Sequence, residues 1–297
     1  MTLRVSAQSQ ITNQISYLQT AQSQMDKVQE QLSTNRKINQ ASDDPQGAAL
    51  ALGYRQQIAF EAQMRRNIDG GVSFLNASDA ALSSANDALQ RVRELAVQGA
   101  NGTNSQQGRD AMGVEVDQLL QEMVQIGNSN FNGTYLFAGN KTDAPPFTTT
   151  SVNGQITGVA YAGDQGQRIR QISQQSSAAV NVTGTTAFGA TFQDLIELRD
   201  NLKNNPDLVN GSLSKIDSDL NTVLTARADV GSKTNMLQDV SARSLATDTN
   251  LQGLKSGIEE IDVSETVVQL TAKSNQLQAA LGAIGKTINM SLLNYIQ

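Results

Sequence analysis

The stretch DVSETVVQLTAKSNQLQAALGAIGKTINMSLLNY, residues 262–295, carries the most regular apolar pattern in the chain. Val263, Val267, Leu270, Leu277, Leu281, Ile284, Ile288, Leu292 and Tyr295 recur at three- and four-residue steps, with Ser274 the single polar gap. That spacing puts them along one side of a helix. Asp262 is suited to cap the helix, and Glu265 stands three residues on, as in a capping box. A partner stripe lies at the other end of the chain, where a helix is expected over residues 10–33. Ile11, Ile15, Leu18, Met25 and Leu32 alternate there in the same way, and Gln22 and Gln29 occupy the two positions between them. These polar gaps leave little apolar area to offset the entropy of ordering. The C-terminal helix is therefore expected to be the main packing element and the N-terminal helix to complete it. An ordinary core helix is the plain alternative, but two matched stripes at opposite ends point to intersubunit packing.

Between the two ends the order is helical, β-rich, helical. Asp44 and Pro45 read as an N-cap and first helical residue. The helix they start carries Ile68, Leu75, Leu82, Leu89 and Ala96 at strict seven-residue spacing, with Gly70-Gly71 as a weak point. A turn over Gly99 to Asn104 leads to a helix over residues 105–127, which makes an antiparallel hairpin. From Asn130 to Thr191 helical periodicity vanishes. Thr134 to Phe137 is strand-like, Pro145-Pro146 breaks the chain, and Asn153-Gly154 predicts a tight hairpin turn. Helix resumes over residues 192–203. After Asn204 to Asp207 a long helix is expected over residues 208–261, with a stripe of Leu213, Ile216, Leu220, Leu224, Val230, Leu237, Leu251, Leu254, Ile258 and Ile261. The fold class is thus mainly α. It is a long antiparallel helical bundle built from both chain ends, with coiled-coil-like terminal helices and a small β-rich insertion.

Composition narrows the function. The 297 residues include no His, Cys or Trp, and aromatics make up 4%. The commonest general base, the commonest transition-metal ligand, the thiol nucleophile and disulfides are all missing. No enzyme activity, catalytic residue, metal site or cofactor is expected. A net charge of −6 argues against nucleic-acid binding. Nothing approaches the roughly 18 consecutive apolar residues of a membrane span, and the first residues lack the apolar core of a secretory signal peptide. Asp43-Asp44 reads as a cap, and Glu259-Glu260 with Asp262 and Glu265 as a solvated face with a cap; neither reads as a metal or acid/base site. Gly99 to Gly102 and Gly163 to Gly166 lack the Gly-Lys-Ser/Thr ending of a phosphate loop.

Leu32-Ser33-Thr34-Asn35-Arg36-Lys37-Ile38-Asn39 with Ser42-Asp43-Asp44-Pro45 resembles the N-terminal signature of flagellins and flagellar hook-associated proteins. Leu89 to Gln98, followed by Asn101-Gly102-Thr103, is similar to that family's second conserved helix. Arg91 to Leu95 matches a stretch by which flagellins are sensed by an innate immune receptor; an exposed charged face accounts for it here, and no such binding is expected. Asn132 to Gly139 with Ala144-Pro145-Pro146-Phe147 resembles the hook–filament junction branch of the family. So do Tyr161 to Asp164, Val180 to Gly184 with Phe188, and the ending Ser291 to Ile296.

The resemblance implies three domains: terminal helices (residues 1–44 and 262–297) forming an inner tube, a helical bundle (45–130 and 191–261) and a β-rich outer domain (131–190). It implies a structural subunit that joins hook-associated subunits to the filament by helical self-assembly; the alternative is a filament-forming flagellin. The partners it implies are flagellin, the other junction protein, copies of the same chain and a flagellar export chaperone, with no nucleic acid and no membrane. It also implies an extracellular location on the flagellum, reached through the flagellar export apparatus without a cleaved signal peptide. The assembly interface expected from the stripes comprises Ile11, Ile15, Leu18, Met25, Leu32, Val263, Val267, Leu270, Leu277, Leu281, Ile284, Ile288, Leu292 and Tyr295, with Asp44, Pro45 and Asp262 as helix caps. In the free monomer, amides before about Arg36 and after about Asp262 are expected to exchange fast. Hydrogen exchange with mass-spectrometric readout checks this, and strong protection without assembly would contradict it.

Overall fold

The computed structural model describes the backbone of residues 2–296 and the side chains of residue 9 and residues 11–286. Seven α-helices and three two-stranded antiparallel sheets are present among them: α1 (Thr2–Thr34), α2 (Pro45–Gly99), α3 (Gln106–Gly127), β1 (Asn130–Phe131), β2 (Thr134–Tyr135), β3 (Phe147–Val152), β4 (Gln155–Tyr161), β5 (Ile169–Gln171), β6 (Ser177–Ala179), α4 (Gly184–Phe188), α5 (Thr191–Asn204), α6 (Val209–Glu259) and α7 (Val263–Ile296). A 3-10 turn, Pro206–Leu208, separates α5 from α6. The chain forms two compact units, Met1–Phe60 with Thr247–Gln297, and Glu61–Ala246. The sequence-derived boundaries at 44/45 and 261/262 both fall inside the first unit, because α2 and α6 contribute to both units.

In the first unit α1 packs on α7. Lys273 Nζ donates to Gln24 Oε1 at 2.9 Å, and Arg36 forms an isolated antiparallel bridge with Glu260, so the two helices run antiparallel. The most buried residues of α1 are Ala21 and Val28, each less than 9% exposed. The packed face therefore runs Ile11, Gln14, Leu18, Ala21, Met25, Val28, Leu32, an unbroken 4/3 alternation. This corrects the reading that Gln22 and Gln29 sit in the seam: both are exposed, and Ala21 and Val28 take their places. The seam is more apolar than the pattern of large side chains implied.

The second unit holds the core. Ile68, Leu75, Leu82, Leu89 and Ala96, the expected stripe of α2, are all fully buried. Facing them, α6 buries Val209, Ile216, Val223, Val230 and Leu237, also seven residues apart. Leu224, expected in that stripe, is 47% exposed instead, and Val223 occupies the buried position. Arg93–Asp217 at 2.6 Å and Arg227–Asp79 at 3.1 Å tie the two helices along their length and fix them as antiparallel. Gly70-Gly71 does not interrupt α2. A side chain at Gly71 would crowd Val180 and Leu237, so the glycine lets those residues approach.

The β-rich part is small, and polar bonds hold it in place. Asn153 (φ 50°) and Gly154 (φ 83°) form the expected two-residue turn between β3 and β4, with both residues left-handed as a type I′ turn requires. The Asn128 side-chain amide donates to Phe147 O (2.8 Å) and accepts from Phe147 N (2.9 Å), as a paired strand would. Phe137, Phe147, Tyr161, Phe188 and Phe192 form one aromatic cluster with centroid separations of 4.6–5.5 Å. Leu136 and Phe137, expected as strand, instead follow β2 as buried loop residues. The buried Arg199 guanidinium meets Asp117 at 2.7 Å and Asp200 at 2.8 Å and donates to Ile156 O, pinning β4 to α3 and α5.

Asp219 lies on the core face of α6 between Ile216 and Val223. It is 5% exposed, and its Oδ2 has no hydrogen-bond partner. Burial pushes its carboxyl up to about 7, aided by neighbouring Asp194 and opposed by Thr191 and Lys215. The raised pKa means the folded state holds the proton longer than the unfolded chain. The associated stability is full below the ordinary value of 3.8 and is lost as pH rises through about 7. Urea unfolding of Asp219→Asn against the parent should show that the variant gains stability relative to it across that window, by at most about 4 kcal/mol; a pH-independent difference would refute this. The α1 seam gives a second outcome. Val28→Asp should cost at least about 2 kcal/mol of α1–α7 stability in urea unfolding, whereas Gln29→Asp should stay within about 0.5 kcal/mol.

Candidate assembly interface

The ends of α1 and α7 are set by short polar devices. α1 stops at Asn35, whose φ of 55° turns the chain out of the helix. Arg36 N donates to Gln31 O, Lys37 N donates to Glu259 O at 2.6 Å, and Gln31 Nε2 donates to Lys37 O at 2.9 Å. Asp43 closes the following loop by accepting from the Asn39 and Gln40 amides, and it pairs with Lys27 at 2.9 Å. The Lys27 ammonium, with help from those two amides, holds the Asp43 carboxyl down at about 2. Asp44 Oδ1 accepts from Gly47 N at 3.0 Å at the start of α2, directly before Pro45. Asp262 Oδ1 accepts from the Ser264 and Glu265 amides at the start of α7. The Glu265 carboxylate accepts from Gln269 Nε2, one turn further along the same helix.

The acidic residues of the two clusters weighed in the sequence have such partners. Asp43 and Asp44 bind backbone amides, Glu259 pairs with Arg55 at 2.6 Å, and Glu260 accepts from Ser256 Oγ. No group of three acidic residues is placed to hold a metal among the described residues. The Gly163 to Gly166 loop wraps a carboxylate rather than a phosphate: Asp164 Oδ1 accepts from the Asn140 and Gly166 amides, which lower its pKa. No described helix is long and apolar enough to cross a membrane.

The fourteen stripe residues divide by position. Ile11, Leu18, Met25, Leu32, Leu270, Leu277 and Ile284 are half-buried in the α1–α7 contact. Ile15 (45%), Val263 (52%), Val267 (45%) and Leu281 (51%) are turned outward and exposed. The side chains of Ile288, Leu292 and Tyr295 lie outside the described residues. The structure adds Val268, 68% exposed, and Tyr17, 74% exposed, to the outward set. Neither fits the main stripe, which is why sequence spacing passed over them. Leu18, Gln22, Leu277 and Leu281 flank an open groove of about 430 Å³ between the two helices. The stripe thus serves two surfaces. One line of residues closes α1 on α7, and the neighbouring line remains uncovered in the single chain. Isolated exposed apolar residues are ordinary on a protein surface; here Ile15, Val263, Val267 and Leu281 are exposed along one helix pair.

Comparison with known proteins agrees with this helical frame. Residues 5–142 match the bacterial flagellin N-terminal helical region and residues 213–296 the bacterial flagellin C-terminal helical region. The flagellar filament 30.7 kDa core protein of Treponema maltophilum is 31% identical over 259 residues, 86% of each chain. Flagellin FlaB1 of Treponema pallidum is 30% identical over 282 residues, covering 92% of this chain and 93% of its own. In fold, the crystal structure of Xanthomonas campestris FlgL superposes with a TM-score of 0.61 at 17% identity, covering 68% of this chain and 99% of that one. With both helical regions matched in order and relatives aligned over most of its length, the chain belongs to the bacterial flagellin family and is a structural subunit of the flagellum.

Proposed function

We propose that this chain is the junction subunit between hook and filament, the third hook-associated protein of its flagellum. One observation carries the reading. The segments whose sequences resemble the junction branch come together in one place: Phe137, Phe147, Tyr161 and Phe188 share the aromatic cluster. The Tyr161 hydroxyl lies 2.9 Å from Phe137 O and 2.7 Å from Asp164 O, and Gly184 N donates to Phe137 O. These scattered motifs therefore describe one piece of structure, and their agreement has a physical reason. In this reading the outward line of Ile15, Val263, Val267 and Leu281 packs against neighbouring copies, with the other junction protein on one side and flagellin on the other. A flagellar export chaperone would shield the same line before assembly. The domain division at 44/45 and 261/262 then separates the residues that form the inner tube from the rest.

A second reading, a filament-forming flagellin, is favoured by the Treponema relatives, which are named as filament proteins and align over most of their length. A tagged copy imaged on intact flagella separates the two. A single band between hook and filament is expected, and label along the whole filament would establish the second reading. Leu281→Asp tests the interface itself. The monomer should keep its helix content, because Leu281 is already half exposed, and incorporation into flagella should fail because a charge would enter the intersubunit contact. Normal incorporation of this variant would remove Leu281 from the interface.

A further inference from the structure

A polar feature of a different kind lies in the second unit, at β5. Arg168 and Arg170 sit two residues apart in and beside β5, so an extended backbone directs both to the same face. They line a pocket of about 210 Å³ whose wall includes Phe74 and Phe131, an edge-to-face pair with centroids 6.5 Å apart. Asn132 and Thr134, at the β1–β2 turn, add an amide and a hydroxyl to the lining. The left-handed φ values of Asn132 (52°) and Gly133 (76°) hold that turn closed.

The charges in this pocket are unbalanced. The chain as a whole is acidic, at −6. Arg55, Arg91, Arg93, Arg199 and Arg227 each meet a carboxylate. Arg168 and Arg170 form no ion pair among the described residues. The Arg168 guanidinium stacks over the Phe74 ring at 4.7 Å, and its Nη1 is buried without a hydrogen-bond partner. Burial and the like charge of Arg170 both lower its pKa. Two guanidinium groups beside each other, one with an unmet buried donor, form a site that an oxyanion would neutralise and hydrogen-bond. A planar carboxylate matches the guanidinium fork, and the two rings offer an apolar wall to the body that carries it. We propose that this pocket binds a small free organic carboxylate, its oxygens held by Arg168 and Arg170 and its body resting on Phe74 and Phe131.

The test uses the full chain with 15N-labelled arginine, followed by NMR of the guanidinium Nε–H signals. Benzoate, acetate, inorganic phosphate and chloride are titrated at constant ionic strength. Saturating shifts of the Arg168 and Arg170 signals with benzoate are expected, with weaker binding of acetate, which lacks the ring. Arg170→Ala should weaken benzoate binding by about tenfold or more while circular dichroism stays unchanged. Arg170 is the primary variant, since Arg168→Ala also removes the contact with Phe74 and could loosen the fold. Shifts that never saturate, or that chloride reproduces, would overturn the proposal. Tighter binding of phosphate than benzoate would overturn the carboxylate assignment, and unchanged benzoate affinity in Arg170→Ala would remove the two-arginine site.

Discussion

The contact on which the second unit depends is the meeting of two seven-residue ladders, one on α2 and one on α6. Strict seven-residue spacing keeps each ladder on one side of its helix when two helices wrap gently around each other. Five Leu, Ile and Ala side chains of α2 and five Val, Ile and Leu side chains of α6 are all essentially inaccessible to water. At roughly 1.5–3 kcal/mol for each large buried side chain, the two ladders contribute a large share of the hydrophobic stabilisation of that unit, beside the buried residues of α3, α5 and the β-rich part. Small residues complete it. Ala85 and Ser78 are fully buried on α2, and the Ser78 hydroxyl is satisfied within its own helix by Phe74 O. A chain with so few aromatic residues can build such a core because it needs only thin side-chain layers between helices.

The β-rich piece solves a different problem. Its strand pairs are short, and an isolated two-stranded hairpin is marginal in water. It is held by polar anchors: buried Arg199 on Asp117 and Ile156 O, half-buried Asn128 on Phe147, and Asp164 within its own glycine-flanked loop. The aromatic cluster fills the space those anchors define. Four of the chain's seven phenylalanines sit there, and apart from Phe74 the buried hydrophobic residues of α2 and α6 are non-aromatic.

Much of this was legible in the sequence, and the two errors of helix register share one cause. The α2 stripe, the Asp44-Pro45 start, the Asn153-Gly154 turn and the pairing of the two chain ends were readable because each rests on large residues or on residues with special backbone preferences. The α1 seam was misread because Ile15 is larger than Gln14 and drew the register by one position, which then put Gln22 and Gln29 where Ala21 and Val28 belong. Leu224 displaced Val223 in the same way. In each of these adjacent pairs the smaller residue faces the core and its larger neighbour is turned out, so ranking by size picks the wrong member. α4 has only five residues and leaves no periodic signal. The pairing of Arg168 and Arg170 in one pocket depends on the folding of β1, β2 and α2 around them, which no local spacing reveals.

The corrected register changes what the terminal helices can do. Had Gln22 and Gln29 lain in the seam, α1 and α7 would have held together weakly and the exposed stripe would have been the seam itself. With Ala21 and Val28 in place, the pair closes using one line of residues and leaves Ile15, Val263, Val267 and Leu281 uncovered on the adjoining line. A helix pair of this kind has two separable contacts, one within the chain and one beside it. The inner contact sets the shape of the pair, and the outer one is free to be filled by a neighbour without undoing it. The two lines are thus distinct in position, with Ala21 and Val28 on the closed line and Ile15 on the uncovered one.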